Sequence, residues 1–360
     1  MVKAAVLHEA KSALRIEDVA FDDPGPGEVL VKLMASGVCH SDWHVVKGEW
    51  PAKYPIVLGH EGAGIVEEVG PNVSAVQPGD HVVLSWKTSC GTCEMCQKGW
   101  PNLCFRSPQA AQRPTLDAGE TETAQLAGLG TFGSYTVVPE VAAVPIDKAI
   151  PFPQAALVGC GVTTGVGAAI NTAQVQPGTT AAVFGAGGVG LNCIQGCSIA
   201  GATTIIAVDL LDNKLEMAKE FGATHAVNAA ADDPVARIKE LTGGLGTHYA
   251  FEAIGLVEAP FVQSIRCTRS RGITVWVGHA PYDTPVTIDA RDLIAEKTVI
   301  GSMYGTAKPQ LEFPRLLSLY QAGKLKLDEL ITRTFPVEDV NDAFEALGKG
   351  EVARSTLSFE

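Results

Sequence analysis

The hydrophobic positions divide the chain into two textures. Up to about residue 80, apolar residues recur over short runs, as in KAAVLHEA, LRIEDVAF, VLVKLMASGVC and IVLGHEGAGIVEEVG, with turn sequences such as PGPGE between them. Alternation broken by Gly and Pro predicts a β-rich domain of many short strands. After Gly161 apolar strands alternate with helical stretches: TTAAVF, TTIIAVDL, ATHAVNAA, HYAFEAIG and ITVWVGHA are the strands. That pattern predicts a Rossmann-type doubly wound parallel sheet, an α/β fold. From about Met303 two amphipathic stretches, FPRLLSLYQAGKLKLDELI and VEDVNDAFEALGKG, lead to a closing strand near GEVARSTLSFE. Phe105 to Gly130 lacks periodicity and reads as a solvated surface loop, long enough to border an active-site mouth.

Two stretches carry chemistry by spacing. In CGTCEMCQKGWPNLC, Cys90, Cys93 and Cys96 are separated by two-residue gaps, and Cys104 follows after seven more. Four thiols so placed can wrap one tetrahedral ion from a single loop. A ferredoxin-type cluster calls for three residues before the last cysteine and a proline after it, and neither is present. Redox CxxC pairs would leave the four-fold pattern unexplained. The spacing favours structural zinc.

The second stretch is the glycine motif. Gly185, Gly187 and Gly190 form G-x-G-x-x-G after an apolar strand and at the opening of a helix, with Asp209 nineteen residues beyond Gly190. Gly185 suits a tight turn, Gly187 a close approach to pyrophosphate, and Gly190 close packing of helix on strand. The helix N-terminus offers unpaired N–H groups to phosphate. Asp209 would accept hydrogen bonds from ribose hydroxyls and repel a 2′-phosphate, and Leu210 and Leu211 supply no cation, so NAD is favoured over NADP.

Cys39 and His60 lie in GVCHSDWHVVKGEWPAKYPIVLGHEGAG, and Cys160 lies in VGCGVTTG. Singly, each cysteine would read as a buried small hydrophobe and His60 as a satisfied core histidine. Together, GHEGAGIVEEVG with Cys39 upstream and GCG downstream resembles the zinc-dependent medium-chain alcohol dehydrogenases, over essentially the whole chain. The resemblance implies a GroES-like catalytic domain in two pieces (residues 1–161 and 304–360). It also implies an inserted NAD-binding domain (162–303) and a structural zinc lobe (90–104).

It further implies that Cys39, His60 and Cys160 hold a catalytic zinc with Glu61 adjacent behind it, giving two zinc ions per chain. Asp42 would orient His60 from the second shell of contacts. Ser41 and His44 match the family's proton relay, which runs through a ribose hydroxyl. His40, Thr164, Gly188, Val189, Lys214, Val277 and Arg354 join the three glycines and Asp209 as cofactor contacts. Trp50, Trp86, Phe132, His279 and Met303 would line the substrate pocket. Cys193, Cys197 and Cys267 are read as core.

A chain of 360 residues with 46% hydrophobic content and 38 glycines fits a compact two-domain enzyme. A net charge of −13 argues against nucleic acid or an anionic membrane as partner. Nine cysteines with no apparent signal sequence suggest reduced thiols, metal binding and a cytoplasmic protein. The expected activity is reversible hydride transfer between primary alcohols or aldehydes and NAD(H), in a homodimer or homotetramer. An S-hydroxymethyl thiol adduct as substrate is the alternative within enzymes. A zinc- and dinucleotide-binding protein without turnover is the alternative outside them.

Overall fold

The structure is a computed structural model that describes residues 2–111, 113–116, 119–281 and 283–359. The chain divides into two compact units. One comprises the residues up to Cys160 with Lys308–Gly323 and Leu327 onward, and the other comprises Gly161–Ala307 with Lys324–Lys326.

The first unit is built on the long strand Glu28–Val38, which pairs antiparallel with Gly62–Val69, Tyr135–Pro139 and Arg354–Ser358. His81–Leu84, Ala143–Pro145 and Ile331–Pro336 complete a seven-stranded sheet. A four-stranded sheet runs in the order Arg15–Val19, Val2–Leu7, Ile56–Val57, Ala124–Gln125. One core gathers Leu7, Leu58, Phe132 and Phe344, and a second gathers Val29, Leu33, Val82 and Leu84. The helix Val340–Gly348 turns Val340, Ala343, Phe344 and Leu347 inward, a helical spacing, and the strand Arg354–Ser358 follows it. This closing strand brings the chain's end beside the strand that leads to Cys39.

The stretch expected as a solvated loop is more ordered than its composition suggests. Thr115–Leu116 pairs with Thr121–Glu122, and Ala124–Gln125 joins the four-stranded sheet. Leu116 packs against Val6, Val19 and Val57, so a single leucine anchors a sequence otherwise too polar to signal strands.

In the second unit six parallel strands run in the order His225–Asn228, Thr204–Asp209, Thr180–Phe184, Thr247–Glu252, Thr268–Trp276, Thr298–Gly301. This is the 3-2-1-4-5-6 order of a doubly wound sheet. Ala181 to Phe184 are all buried, as a strand covered on both faces requires. Burial among neighbours pushes the Cys193 and Cys197 thiols up, and Cys267 up to about 12, so these three are packing groups. Lys324–Lys326 joins this unit because Gln195 grips it, accepting from Lys326 N–H at 2.7 Å and donating to Lys326 O at 3.2 Å.

Phe152–Thr172 is, among the described residues, the one helix long and apolar enough to cross a membrane, and 72% of its apolar window is buried within the protein. It is a core helix by that measure. Its two ordinary helical stretches, Phe152–Leu157 and Thr163–Gly167, are each followed by a π-helical turn, Val158–Val162 and Ala168–Thr172.

Close packing at the glycine motif gives a paired test. A Cβ on Gly190 would fall 1.8 Å from Gly185 O, whereas one on Gly187 meets nothing within 4 Å. Gly190→Ala is therefore expected to destabilise the chain by about 1–3 kcal/mol through forced backbone movement. Gly187→Ala should stay within about 0.5 kcal/mol of the parent in denaturant unfolding.

Candidate functional site

The candidate metal ligands are brought together by the end of one strand, a left-handed turn and a π-helical turn. Cys39 follows Glu28–Val38 and caps the helix His40–Val46 in extended conformation. Asp42, fully buried in that helix, accepts hydrogen bonds from Cys39 N–H at 3.3 Å and Gly59 N–H at 2.8 Å. Its carboxylate also lies 3.3 Å from His60 Nδ1. Gly59, at φ +88°, makes the left-handed turn that delivers His60. Cys160 arrives on the π-helical turn Val158–Val162, a local widening of the kind found at functional sites.

Ligand atoms of Cys39, His60, Glu61 and Cys160 all lie within 4.8 Å of one another. Among the described residues, His60 Nε2 is buried with no hydrogen-bond partner, while Nδ1 faces Asp42. An orphaned imidazole nitrogen converging on two thiols fits a zinc ion, which takes both donor types. Hydrogen bonding from the Cys160 thiol holds the Cys39 thiol well below its ordinary range, against the effect of burial. Burial opposes a charge on His60, but the Asp42 carboxylate outweighs it and raises the imidazole well above the usual value. Binding of a cation would displace that proton.

Behind these ligands Glu61 is fully buried. A Cβ on Gly37 would overlap its Oε2, so a side chain there would displace the carboxylate. Burial raises the Glu61 carboxyl to about 7 even though the Arg354 guanidinium, ion-paired with it, pulls the other way. Arg354 also donates to Val38 O at 3.2 Å and is itself buried. The bonds of Arg354 are thus to the rear of the ligand cluster.

Ser41 Oγ lies 3.8 Å from Cys39 Sγ. His44 is buried, with Nδ1 2.5 Å from Glu49 Oε2 and its ring stacked on Trp50 at 4.7 Å. The sequence reading missed Glu49. A helix-ending glycine followed by a carboxylate five residues past the histidine was the available signal.

Cys90, Cys93, Cys96 and Cys104 form the second cluster, again within 4.8 Å. Sulfur separations of 3.5, 3.8 and 3.6 Å link Cys93 to Cys96, Cys93 to Cys104 and Cys104 to Cys90. A tetrahedral ion with Zn–S bonds of about 2.3 Å spaces its sulfurs by about 3.8 Å. Backbone N–H groups of Cys90, Cys93 and Arg106 also point at these sulfurs, at 3.4, 3.3 and 3.4 Å. The donor set fits a closed zinc site.

In the second unit the helix Gly188–Ile199 begins after Gly187, and Gly185 adopts φ +92°. Asp209 accepts from Ala186 N–H at 2.8 Å, tying the acid to the glycine turn, and from Leu210 and Leu211 N–H at 2.8 and 3.1 Å. The open space at Gly187, in front of a helix N-terminus, fits a dinucleotide pyrophosphate. Val189 and Lys214 are half-buried on the helices after the first and second strands of the motif, Thr164 is half-buried, and Val277 is buried at the end of Thr268–Trp276.

The residues expected around substrate are spread over both units. Trp50 packs on the core that contains Phe132, and Trp86 packs on the other core. Phe132 is fully buried, its ring 6.0 Å from Phe344. His279 and Met303 are exposed in the second unit, and His40 is exposed at the start of its helix.

Residues 25–148 match the alcohol dehydrogenase GroES-like domain family, and residues 188–322 match the zinc-binding dehydrogenase family. A protein designated alcohol dehydrogenase D of Mycobacterium tuberculosis is 41% identical over 98% of both chains. An NDMA-dependent alcohol dehydrogenase of Amycolatopsis methanolica is 40% identical, covering 99% of this chain and 98% of that one. The crystal structure of benzyl alcohol dehydrogenase from Acinetobacter calcoaceticus superposes with a TM-score of 0.93, at 34% identity, covering 100% of this chain and 99% of that one.

Elemental analysis of protein purified without chelator is expected to give two zinc ions per chain, one for each ligand cluster. Cys160→Ala should retain one with the fold intact by circular dichroism. Cys93→Ala should lose the other and destabilise the chain, because closed sites contribute folding energy.

Proposed function

This chain belongs to the zinc-dependent medium-chain alcohol dehydrogenase family, and from that membership we propose that it interconverts primary alcohols and aldehydes with NAD(H) as hydride partner. The observation that carries the proposal is the orphaned His60 Nε2 converging on Cys39 and Cys160, with the Ser41 hydroxyl beside them. Zinc held there supplies Lewis acidity that lowers the pKa of a substrate hydroxyl, and bound nicotinamide supplies the hydride acceptor.

The chain's own residues do the remainder. Asp42 fixes the His60 tautomer so that Nε2 faces the cation. Ser41 accepts the hydroxyl proton and gives up its own, and His44 holds the released proton at Nε2. Trp50 and Trp86 give the substrate flat apolar walls that favour linear or benzyl-type primary alcohols. The carboxylate of Asp209 at the glycine turn, followed by exposed Leu210 and Leu211, disfavours a 2′-phosphate and so selects NAD. Thr298–Gly301, the terminal strand of the parallel sheet, with Ile300 exposed, offers an edge for assembly into homodimers or homotetramers.

The relative named for NDMA dependence favours a second reading, in which turnover requires NDMA. Oxidation of ethanol and benzyl alcohol is to be followed with NAD alone and with NDMA alone, and NAD reduction is to be followed with formaldehyde plus a thiol as substrate. Turnover with NAD alone supports the first reading. Turnover only with NDMA supports the second, and turnover only with formaldehyde and thiol transfers the assignment to adduct oxidation.

Two variants test the roles. Asp209→Gly combined with Leu210→Arg is expected to move preference toward NADP, measured as the ratio of kcat/KM values. Ser41→Ala should slow hydride transfer by about 100-fold or more while leaving NAD affinity nearly unchanged in fluorescence titration. An unslowed Ser41→Ala enzyme would remove the hydroxyl from the mechanism.

A further inference from the structure

We propose that Glu49 is a positioning residue for His44, fixing the ring tautomer that leaves Nε2 as proton acceptor and supporting the charged ring once the proton arrives. The inference rests on the relay reading of His44 given above.

The geometry has a local origin. The helix His40–Val46 ends at Lys47, and Gly48 takes φ +70°, a conformation that suits glycine at a helix end. Gly48 N–H donates to Val45 O at 3.0 Å. Glu49 and Trp50 N–H both donate to His44 O, at 2.9 and 3.4 Å. The chain is thereby folded back on His44. The same turn that stops the helix sets a carboxylate on one ring nitrogen and an indole on the ring face, with only 16° between the planes. His44 is held both in rotation and in tilt.

The charged groups facing His44 among the described residues are Glu49 and, on Glu49's other oxygen, Lys47 Nζ at 2.8 Å. Burial works against ionisation of Glu49, but hydrogen bonds from Lys47 and His44 outweigh it and hold the carboxyl below its ordinary value. Glu49 is therefore ionised at neutral pH. An ionised carboxylate only accepts, so the proton of the neutral ring sits on Nδ1 and the lone pair on Nε2. When Nε2 gains the released proton, the imidazolium finds its counter-charge already in place. Without Glu49 the neutral ring would be free to carry its proton on either nitrogen, and half-filled or mistaken tautomers would not accept at Nε2.

The alternative is that Glu49 only braces the turn. Glu49→Gln separates the two, because the amide oxygen can still accept from Nδ1–H but carries no charge. Glu49→Ala removes both properties. The first readout is nitrogen-resolved NMR of isotope-labelled histidine in the zinc-replete, cofactor-free chain. The parent should show His44 with its proton on Nδ1, and Glu49→Gln should lower the pH of its titration by about one unit, since loss of a nearby anion disfavours the imidazolium. Glu49→Ala should also mix the tautomers.

The second readout is the pH dependence of single-turnover alcohol oxidation, which needs the neutral ring. Its acid limb should move to lower pH in Glu49→Gln, and Glu49→Ala should slow the step by about tenfold. His44→Gln combined with Glu49→Gln should be no slower than His44→Gln alone, since Glu49 acts through the ring. An unmoved His44 titration in Glu49→Gln, with His44→Gln slow, overturns this inference alone. A His44→Gln enzyme of unchanged rate overturns the relay reading and the inference with it.

Discussion

The ligand cluster depends on one buried carboxylate. Asp42 accepts from the backbone of Cys39 and of Gly59 and faces His60 Nδ1, so a single side chain ties the helix that starts at His40 to the turn that delivers the imidazole. A buried anion is costly unless its oxygens are fully occupied. Here both oxygens are, and the geometry they impose is that of two candidate metal ligands twenty-one residues apart in sequence. Loss of the carboxylate would leave Gly59 N–H unpartnered and His60 free to turn, so its effect on metal affinity and on stability is coupled.

A second buried charge lies behind the first layer. Glu61 directly precedes the strand Gly62–Val69 and Arg354 opens the closing strand of the sheet, and each is buried against the other. Arg354 is also bonded to the carbonyl of Val38, next to Cys39. The antiparallel register of Ser355 with Val38 and Thr356 with Gly37 places it there. The end of the chain is therefore part of the support for ligands that appear in its first sixth. Truncations that leave every ligand in place would still disturb the cluster.

What the sequence made legible follows from how local each signal is. Strand, glycine turn, helix and acid fall within thirty residues, Thr180 to Asp209, and each glycine has its own geometric reason, so the dinucleotide motif could be read directly. The four cysteines of the loop could be grouped because two-residue gaps confine their sulfurs. The ligands Cys39, His60 and Cys160 could be joined only through resemblance, since nothing in their spacing forces them together. The Glu49 contact escaped because it depends on a left-handed Gly48, which a helical pattern does not reveal. The strand pairings of Thr115–Leu116, Thr121–Glu122 and Ala124–Gln125 escaped because one buried leucine decides them. Phe132 was placed at the substrate by alignment, whereas its surroundings in the first unit are those of a core ring.

The two ligand clusters also differ in how much chain they enclose. Cys90 to Cys104 closes a short loop, so its sulfurs meet at small entropic cost as soon as that segment exists. Cys39, His60 and Cys160 close a loop spanning most of the first unit, and their meeting requires the sheet and the π-helical turn to be formed. On a ribosome, where the N-terminal part emerges first, the lobe can therefore capture its ion before the other site has all its ligands. With zinc in both clusters, the order of loading would follow distance along the chain, and metal scarcity during synthesis would leave molecules that are braced but incomplete.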